Sequence, residues 1–126
     1  MNGQSKRVKL REIAFARSGD KGSNSNIGLF AYTPEGYQYL RQVLKPETVA
    51  RHFQALKPTE VKRYELPLLN AFNFVLVGAL GEGGSRSLRV DAQGKALGIA
   101  LLELEVEIPA TLWAKCLREK RESRDE

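Results

Sequence analysis

The sequence holds one cysteine, one histidine, one tryptophan and one methionine, and each scarcity removes a class of protein. A lone cysteine, Cys116, cannot form an internal disulfide, so a small secreted disulfide scaffold is excluded and a reducing compartment is expected. With His52 as the only histidine beside that cysteine, a conventional zinc site has no ligand set. No metal and no cofactor is expected. Long apolar runs are also lacking. The longest fall far short of the roughly 20 residues a membrane helix needs, and the polar, basic start from Met1 to Arg11 is followed by no signal-peptide core. The expected location is the cytoplasm, with no membrane contact.

Charge of one sign is not dominant either. Twenty Lys and Arg stand against 15 Asp and Glu, for a net charge of +5. The positive charge is scattered, with modest concentrations at Lys6–Arg11, at Arg86–Arg89 and in the tail. The tail from Lys115 to Glu126 mixes both signs, as a solvated helix end does. The balance reads as solubility first and an anionic partner second. What is present is ordinary: 126 residues, 42% hydrophobic and 28% charged. A chain of that length forms one domain that buries about two-thirds of its unfolded surface without staples.

Val8 and Leu10 alternate with basic residues, while Ile13 and Phe15 alternate in the opposite phase. A strand with a bulge near Arg11 or Glu12 is expected. Residues 27–32 are almost wholly apolar and predict a strand covered on both faces. Thr33-Pro34-Glu35 is a helix start, followed at helical spacing by Tyr37, Leu40 and Leu44. After Pro46 the pattern restarts with Val49, Phe53 and Leu56. Tyr64 and Leu66 share one face of a short strand ending at Pro67.

The stretch 68–80 fits two periods. Leu69, Phe72, Leu76 and Ala79 suit a helix; Phe72, Phe74 and Leu76 suit a strand. The glycines at 81, 83 and 84 end either, and a helix is expected. Residues 85–91 read as a strand with Leu88 and Val90 inward. Ala96, Leu97, Ala100 and Leu101 read as a short helix, with a hairpin through 91–94 as the rival. Leu104, Val106 and Ile108 alternate with Glu103, Glu105 and Glu107 in a strand whose glutamates face solvent or a partner. A last helix carries Leu112, Trp113, Cys116 and Leu117 inward. The sum is an α+β, ferredoxin-like βαββαβ core over about 8–108, with an extra N-terminal strand, and a C-terminal helix and charged tail over 110–126.

Two stretches can carry chemistry. Ser18-Gly19-Asp20-Lys21-Gly22-Ser23-Asn24-Ser25-Asn26 is polar and glycine-rich between apolar strands, where a plain connection needs only about two to five residues. As an anion or carboxylate site that begins at Ser18, Gly19 and Gly22 let backbone N–H groups converge, Lys21 supplies charge, and Ser23, Asn24 and Asn26 donate hydrogen bonds. As a plain turn, the same Asp, Asn and Ser side chains satisfy their own backbone. The spacing does not match a Walker A loop. The second stretch, Gly81-Glu82-Gly83-Gly84-Ser85-Arg86-Ser87, offers close backbone approach at Gly83 and Gly84, a forked donor in Arg86 and a hydroxyl in Ser87. Its bland reading is a glycine-rich turn beside a salt-bridged strand. Asn73 lies in the apolar stretch before it, at its polar edge. His52 reads as a helix-surface residue and Cys116 as core.

The runs ARSGDKGSNSNIGLFA and RYELPLLNAFNFVLVGALGEGGSRSLRVDAQGK together resemble the C-terminal ferredoxin-fold domain of AtuA-like (acyclic terpene utilisation) proteins, over roughly Leu10 to Ile108. The resemblance implies bacterial catabolism of terpenoid or branched acyl compounds, as coenzyme A thioesters. In the larger proteins the domain follows a big N-terminal domain. A stand-alone small subunit that docks to an AtuA-type large protein is therefore expected. In it, Asp20 and Lys21 would transfer or orient protons, and Ser18–Asn26 would hold an anionic or carbonyl group of an acyl-CoA ligand. One rival is a self-sufficient hydratase or lyase with Asp20 as base and Lys21 or Arg86 as electrostatic stabiliser. Another is a basic nucleic-acid binder, disfavoured because Phe and Tyr fall mostly on core faces and leave no aromatic platform. Two further expectations follow: the two glycine-rich stretches meet in space, and the uncovered sheet face drives homo-oligomer formation when the large partner is absent.

Overall fold

The computed structural model describes residues 4–21, 24–78 and 97–118 of the chain, without the side chains of Asp20 and Lys21. Its strands are β1 (Ser5–Lys9), β2 (Ala14–Lys21), β3 (Asn24–Ala31), β4 (Glu60–Leu66), β5 (Ala71–Val77) and β6 (Glu105–Pro109). Its helices are α1 (Pro34–Val43), α2 (Pro46–His52), α3 (residues 97–102) and α4 (Ala110–Cys116). Antiparallel β2, β3, β5 and β4 form a four-stranded sheet in that order, and β1 and β6 form a separate antiparallel ribbon.

The α+β, ferredoxin-like class holds, and β3–α1–β4–β5–α3–β6 is a βαββαβ run, with β5 supplied by the stretch where a helix was expected. Pairing at its edge differs from a simple continuation. The N-terminal strand is two strands, because a 3-10 turn over Leu10–Glu12 stands where the phase slip suggested a bulge. This turn sends β1 to β6 and β2 to β3, with Leu10 N–H bonded to the Leu104 carbonyl at 2.9 Å. The glutamates of β6 meet the basic residues of β1: Arg7 Nε lies 2.7 Å from Glu105, and Lys9 Nζ lies 2.7 Å from Glu103 just before the strand.

The N-terminus of α1 forms as its residues dictate. The Thr33 hydroxyl accepts from Gly36 N–H at 3.0 Å, and Pro34 fills the first turn. Tyr37, Leu40 and Leu44 are buried, as their spacing predicts. At the other end, Arg63 of β4 donates to the carbonyls of Arg41 and Leu44, both at 3.0 Å. It also pairs with Glu65 at 2.8 Å and lies over the Phe72 ring. The hydrogen bond from Arg41 is the main cause holding the Glu65 carboxyl below its ordinary range.

Two expectations are corrected here. The stretch 68–80 is not a helix: Pro67–Leu69 is a 3-10 turn, Asn70 is left-handed at φ 53°, and β5 follows. Phe72, Phe74 and Leu76 are fully buried at strand period, against β3 on one side and β4 on the other. Residues 27–32 are not covered on both faces either. Ile27, Leu29 and Ala31 are buried while Gly28, Phe30 and Tyr32 are only half-buried. The buried face of the sheet joins Leu40, Val49, Leu101, Ile108 and Cys116 in one core. Leu97 and Leu101 are buried on α3, as the helical reading of 96–101 requires; the expected strand at 85–91 lies outside the described residues.

Candidate functional site

The polar run from Ser18 to Asn26 is not a wide loop. Strand pairing continues through it, with Ser18 opposite Ile27, Gly19 opposite Asn26, Asp20 opposite Ser25 and Lys21 opposite Asn24. Only Gly22 and Ser23 stand between β2 and β3, and they lie outside the described residues, as do Gly83, Gly84, Arg86 and Ser87. Hydroxyls and amides replace apolar residues here because this end of the sheet makes polar ties.

Three side chains of the hairpin serve the fold. Ser18 Oγ accepts from Gly98 N–H of α3 at 3.3 Å. Asn24 Oδ1 accepts from Gly78 N–H at the end of β5, at 3.1 Å. The buried Ser25 hydroxyl donates to the Gly19 carbonyl at 3.3 Å. Gly98 permits this approach, since a Cβ there would stand 3.3 Å from Ser18 Oγ and 3.5 Å from Ala16 Cβ. These bonds also tie the hairpin to the end of β5 and to α3. Gly78 precedes the second stretch, Gly98 follows it, and both are held by the hairpin. The expected approach of Lys21 to Arg86 falls outside the described residues.

Arg17, Asn26 and Asn73 lie on the outer face, which Asn24 shares and Ser18 and Ser25 do not. Strand register aligns Arg17, Gly28, Asn73 and Tyr64 across the sheet, and Gly19, Asn26, Val75 and Lys62 in the next row. Directly opposite positions are about 4.5–5.5 Å apart and diagonal ones such as Asn26 and Asn73 roughly 7–8 Å. Arg17 and Asn26 are exposed and Asn73 is half-buried, and no hydrogen bond or ion pair occupies their side chains among the described residues. A guanidinium and two amides thus face outward with their donors free, able to meet a carboxylate, phosphate or carbonyl oxygen.

The third row is aromatic. Phe15 stacks on Phe30 with centroids 5.0 Å apart and planes 10° apart, and Tyr32 tilts against Phe15 at 5.8 Å. Phe30 leans over Gly28, where a Cβ would meet its ring at 3.2 Å; the missing side chain makes room for the ring. Phe15 is 42% exposed and Tyr64 49%. The expectation that Phe and Tyr fall mostly on core faces is therefore corrected for this face. Arg17 and Phe15 were missed by the sequence reading of the site. The signal was present in the alternation of Ala14, Ala16 and Ser18 with Phe15 and Arg17, because small residues on one side mark the side pressed by a helix.

His52 is exposed at the end of α2, with Nε2 2.8 Å from the Ala100 carbonyl. Cys116 is buried, and desolvation pushes its thiol pKa up, which suits packing and not nucleophilic attack. No group of three or more His, Cys, Asp or Glu that could hold a metal ion occurs among the described residues, and none of their helices is long and apolar enough to cross a membrane.

An antiparallel sheet with helices packed on one face and a polar hairpin beside the other defines a ferredoxin-like α+β domain. A family model described as the AtuA ferredoxin-like domain matches residues 8–107. With that match over most of its length, the chain belongs to the AtuA ferredoxin-like domain family. No curated protein and no solved structure matches it.

Proposed function

We propose that this chain is an accessory domain that works with an AtuA-type large protein in the catabolism of terpenoid or branched acyl compounds, carried as coenzyme A thioesters. Its own contribution is to hold an anionic or carbonyl group of the substrate on the outer sheet face beside the β2–β3 hairpin. The observation that carries this reading is the set Arg17, Asn26 and Asn73: three donor side chains on one exposed face, none used by the fold among the described residues. Arg17 offers a charged fork, and the amides of Asn26 and Asn73 add donors of fixed position. The Phe15–Phe30 stack gives the acyl portion an apolar surface in the adjoining row.

Calorimetric titration of the chain with branched acyl-CoA thioesters and the matching free acids tests this, alone and with a purified AtuA-type large protein. Arg17→Ala and Asn26→Ala are expected to weaken binding about tenfold each, as loss of a charge-assisted hydrogen bond does, with melting temperatures unchanged. If no thioester or acid binds the parent in either setting, the reading fails.

A further inference from the structure

The aromatic row beside the donors ends in a recess. Tyr32, two positions beyond Phe30, tilts against Phe15 with centroids 5.8 Å apart, and the Arg118 guanidinium lies over the Tyr32 ring at 5.8 Å. Phe15, Tyr32 and Arg118 line a recess of about 350 Å³. Packing on the other side of the sheet puts Arg118 there. Helix α4 ends at the fully buried Cys116, and a Cβ on Gly36 would stand 3.6 Å from the Cys116 Cβ. Gly36 is in the first turn of α1, just after Tyr32 and its capping neighbour Thr33. That contact holds the end of α4 beside the end of β3. The chain then leaves α4 extended at Leu117, with φ −74° and ψ 153°, and carries Arg118 onto Tyr32.

Direction matters here as much as charge. With a thioester carbonyl held by Arg17, Asn26 and Asn73 and the acyl chain on Phe15 and Phe30, the coenzyme leaves on the opposite side of the donors, past the row of Gly19, Val75 and Lys62. The far end of the acyl chain then reaches Tyr32 and Arg118. Gly28, in the row of Arg17 and Asn73, and Tyr32 are roughly 13 Å apart along β3 and its extension. A hydrocarbon end gains nothing from a guanidinium, whereas a carboxylate accepts two parallel N–H bonds from it. Arg118 is exposed and makes no hydrogen bond or ion pair among the described residues. Glu12 accepts from Trp113 Nε1 at 3.2 Å instead, and Glu35, on the first turn of α1, forms no ion pair among those residues. The fork of Arg118 is therefore open to a ligand lying in the recess.

We infer that the acyl group this face takes ends in a carboxylate. The ligand is the monothioester of a dicarboxylic acid, with its thioester carbonyl at Arg17, Asn26 and Asn73, its chain on the Phe15–Phe30 stack and its distal carboxylate on Arg118. The inference rests on the reading of this face as an acyl-CoA site, and it adds a specificity-determining residue that the donor set does not contain.

Calorimetric titration of the parent and of Arg118→Ala, alone and with a purified AtuA-type large protein, compares three ligands. They are the CoA monothioester of a dicarboxylic acid whose chain spans roughly 13 Å, the methyl-ended acyl-CoA of the same length, and CoA itself. Arg118→Ala is expected to melt like the parent, because the side chain is exposed. The parent is expected to bind the carboxy-ended thioester about tenfold more tightly than the methyl-ended one, as a charge-assisted hydrogen bond gives. Arg118→Ala should bind the two alike and keep the methyl-ended affinity within about twofold of the parent's. If the parent binds both thioesters equally, or if the preference survives in Arg118→Ala, the distal-carboxylate assignment is wrong while the acyl-site reading stands. If Arg118→Ala weakens the methyl-ended thioester and CoA as much as the carboxy-ended one, Arg118 meets a coenzyme phosphate and the assignment is overturned. If the parent binds neither thioester in either setting, the acyl-site reading fails and takes the inference with it.

Discussion

Replacing Asn24 and Asn26 by alanine, one at a time, separates what the hairpin does for the fold from what it offers a ligand. Asn24 Oδ1 accepts the Gly78 N–H at 3.1 Å across the sheet, and Gly78 has φ 74°, so the bond fixes where the chain leaves β5. A neutral hydrogen bond contributes about 0.5–1.5 kcal/mol net, and leaving a shielded donor unpaired costs about 1–3 kcal/mol. Gly78 is half-buried, so water reaches it in part, and a loss of about 1 kcal/mol is expected for Asn24→Ala. In a domain of this size that lowers the melting temperature by about 3–6 °C. Asn26 is exposed and its side chain makes no hydrogen bond among the described residues, so Asn26→Ala is expected to stay within about 0.5 kcal/mol of the parent. Thermal melts of both variants, each repeated with an acyl-CoA thioester that binds the parent, provide the readout. Asn24→Ala should lower the free melt and keep the ligand-induced rise; Asn26→Ala should keep the free melt and lose the rise. An unchanged melt for Asn24→Ala, or an equal loss for Asn26→Ala, would refute the division of labour.

Two other perturbations test the framework that positions this face. Arg63→Ala removes two donors from the carbonyls ending α1, a partner of Glu65 and a cation over Phe72; a loss of about 2–4 kcal/mol by chemical denaturation is expected, and Arg63→Lys should recover only part of it. Glu65 and Glu103 are held below their ordinary range, chiefly by the hydrogen bonds from Arg41 and Lys9, so their unfolded forms bind protons first. Their stabilising contribution is present above about pH 4.5 and is lost as pH falls through the depressed values. Melts between pH 6 and 3 should therefore drop on acidification, and Glu65→Gln should flatten the fall.

Much of the fold was legible where a residue pattern has a single physical solution. Thr33-Pro34-Glu35 starts a helix in any context, and the alternation of Leu104, Val106 and Ile108 with glutamates admits only a strand. The stretch 68–80 was not legible, because Leu69 at helical distance from Phe72 and Leu76 mimics an inward stripe. The structure instead leaves Leu69 exposed, since Asn70 turns the chain left-handed before β5 begins. The Ser18–Asn26 run was misjudged as a loop for a related reason: cross-strand pairing is a backbone property, and composition alone does not reveal it. Of the candidate site, Asn26 and Asn73 were named from sequence and share one face. Ser18 and Asn24 were named for a ligand, and their oxygens also accept from Gly98 and Gly78, ties the sequence did not reveal. Which polar side chains the fold takes depends on where α3 and the end of β5 come to lie, and both contacts are distant in sequence.

The pairing of β1 with β6 has a consequence for how the chain is made. Arg7 and Glu105, bonded across the ribbon, are 98 positions apart in sequence, and Ala110 N–H reaches back to the Gln4 carbonyl at 3.0 Å. All four strands of the larger sheet lie between residues 14 and 77. On a ribosome, that sheet can assemble before β6 is synthesised, whereas β1 must wait, unpaired, until its partner emerges. The basic side chains of Lys6, Arg7 and Lys9 keep the waiting strand in solution and deter it from joining another chain's edge. Closure of the ribbon is then the last of these strand pairings to form, joining residues made before the larger sheet to residues made after it.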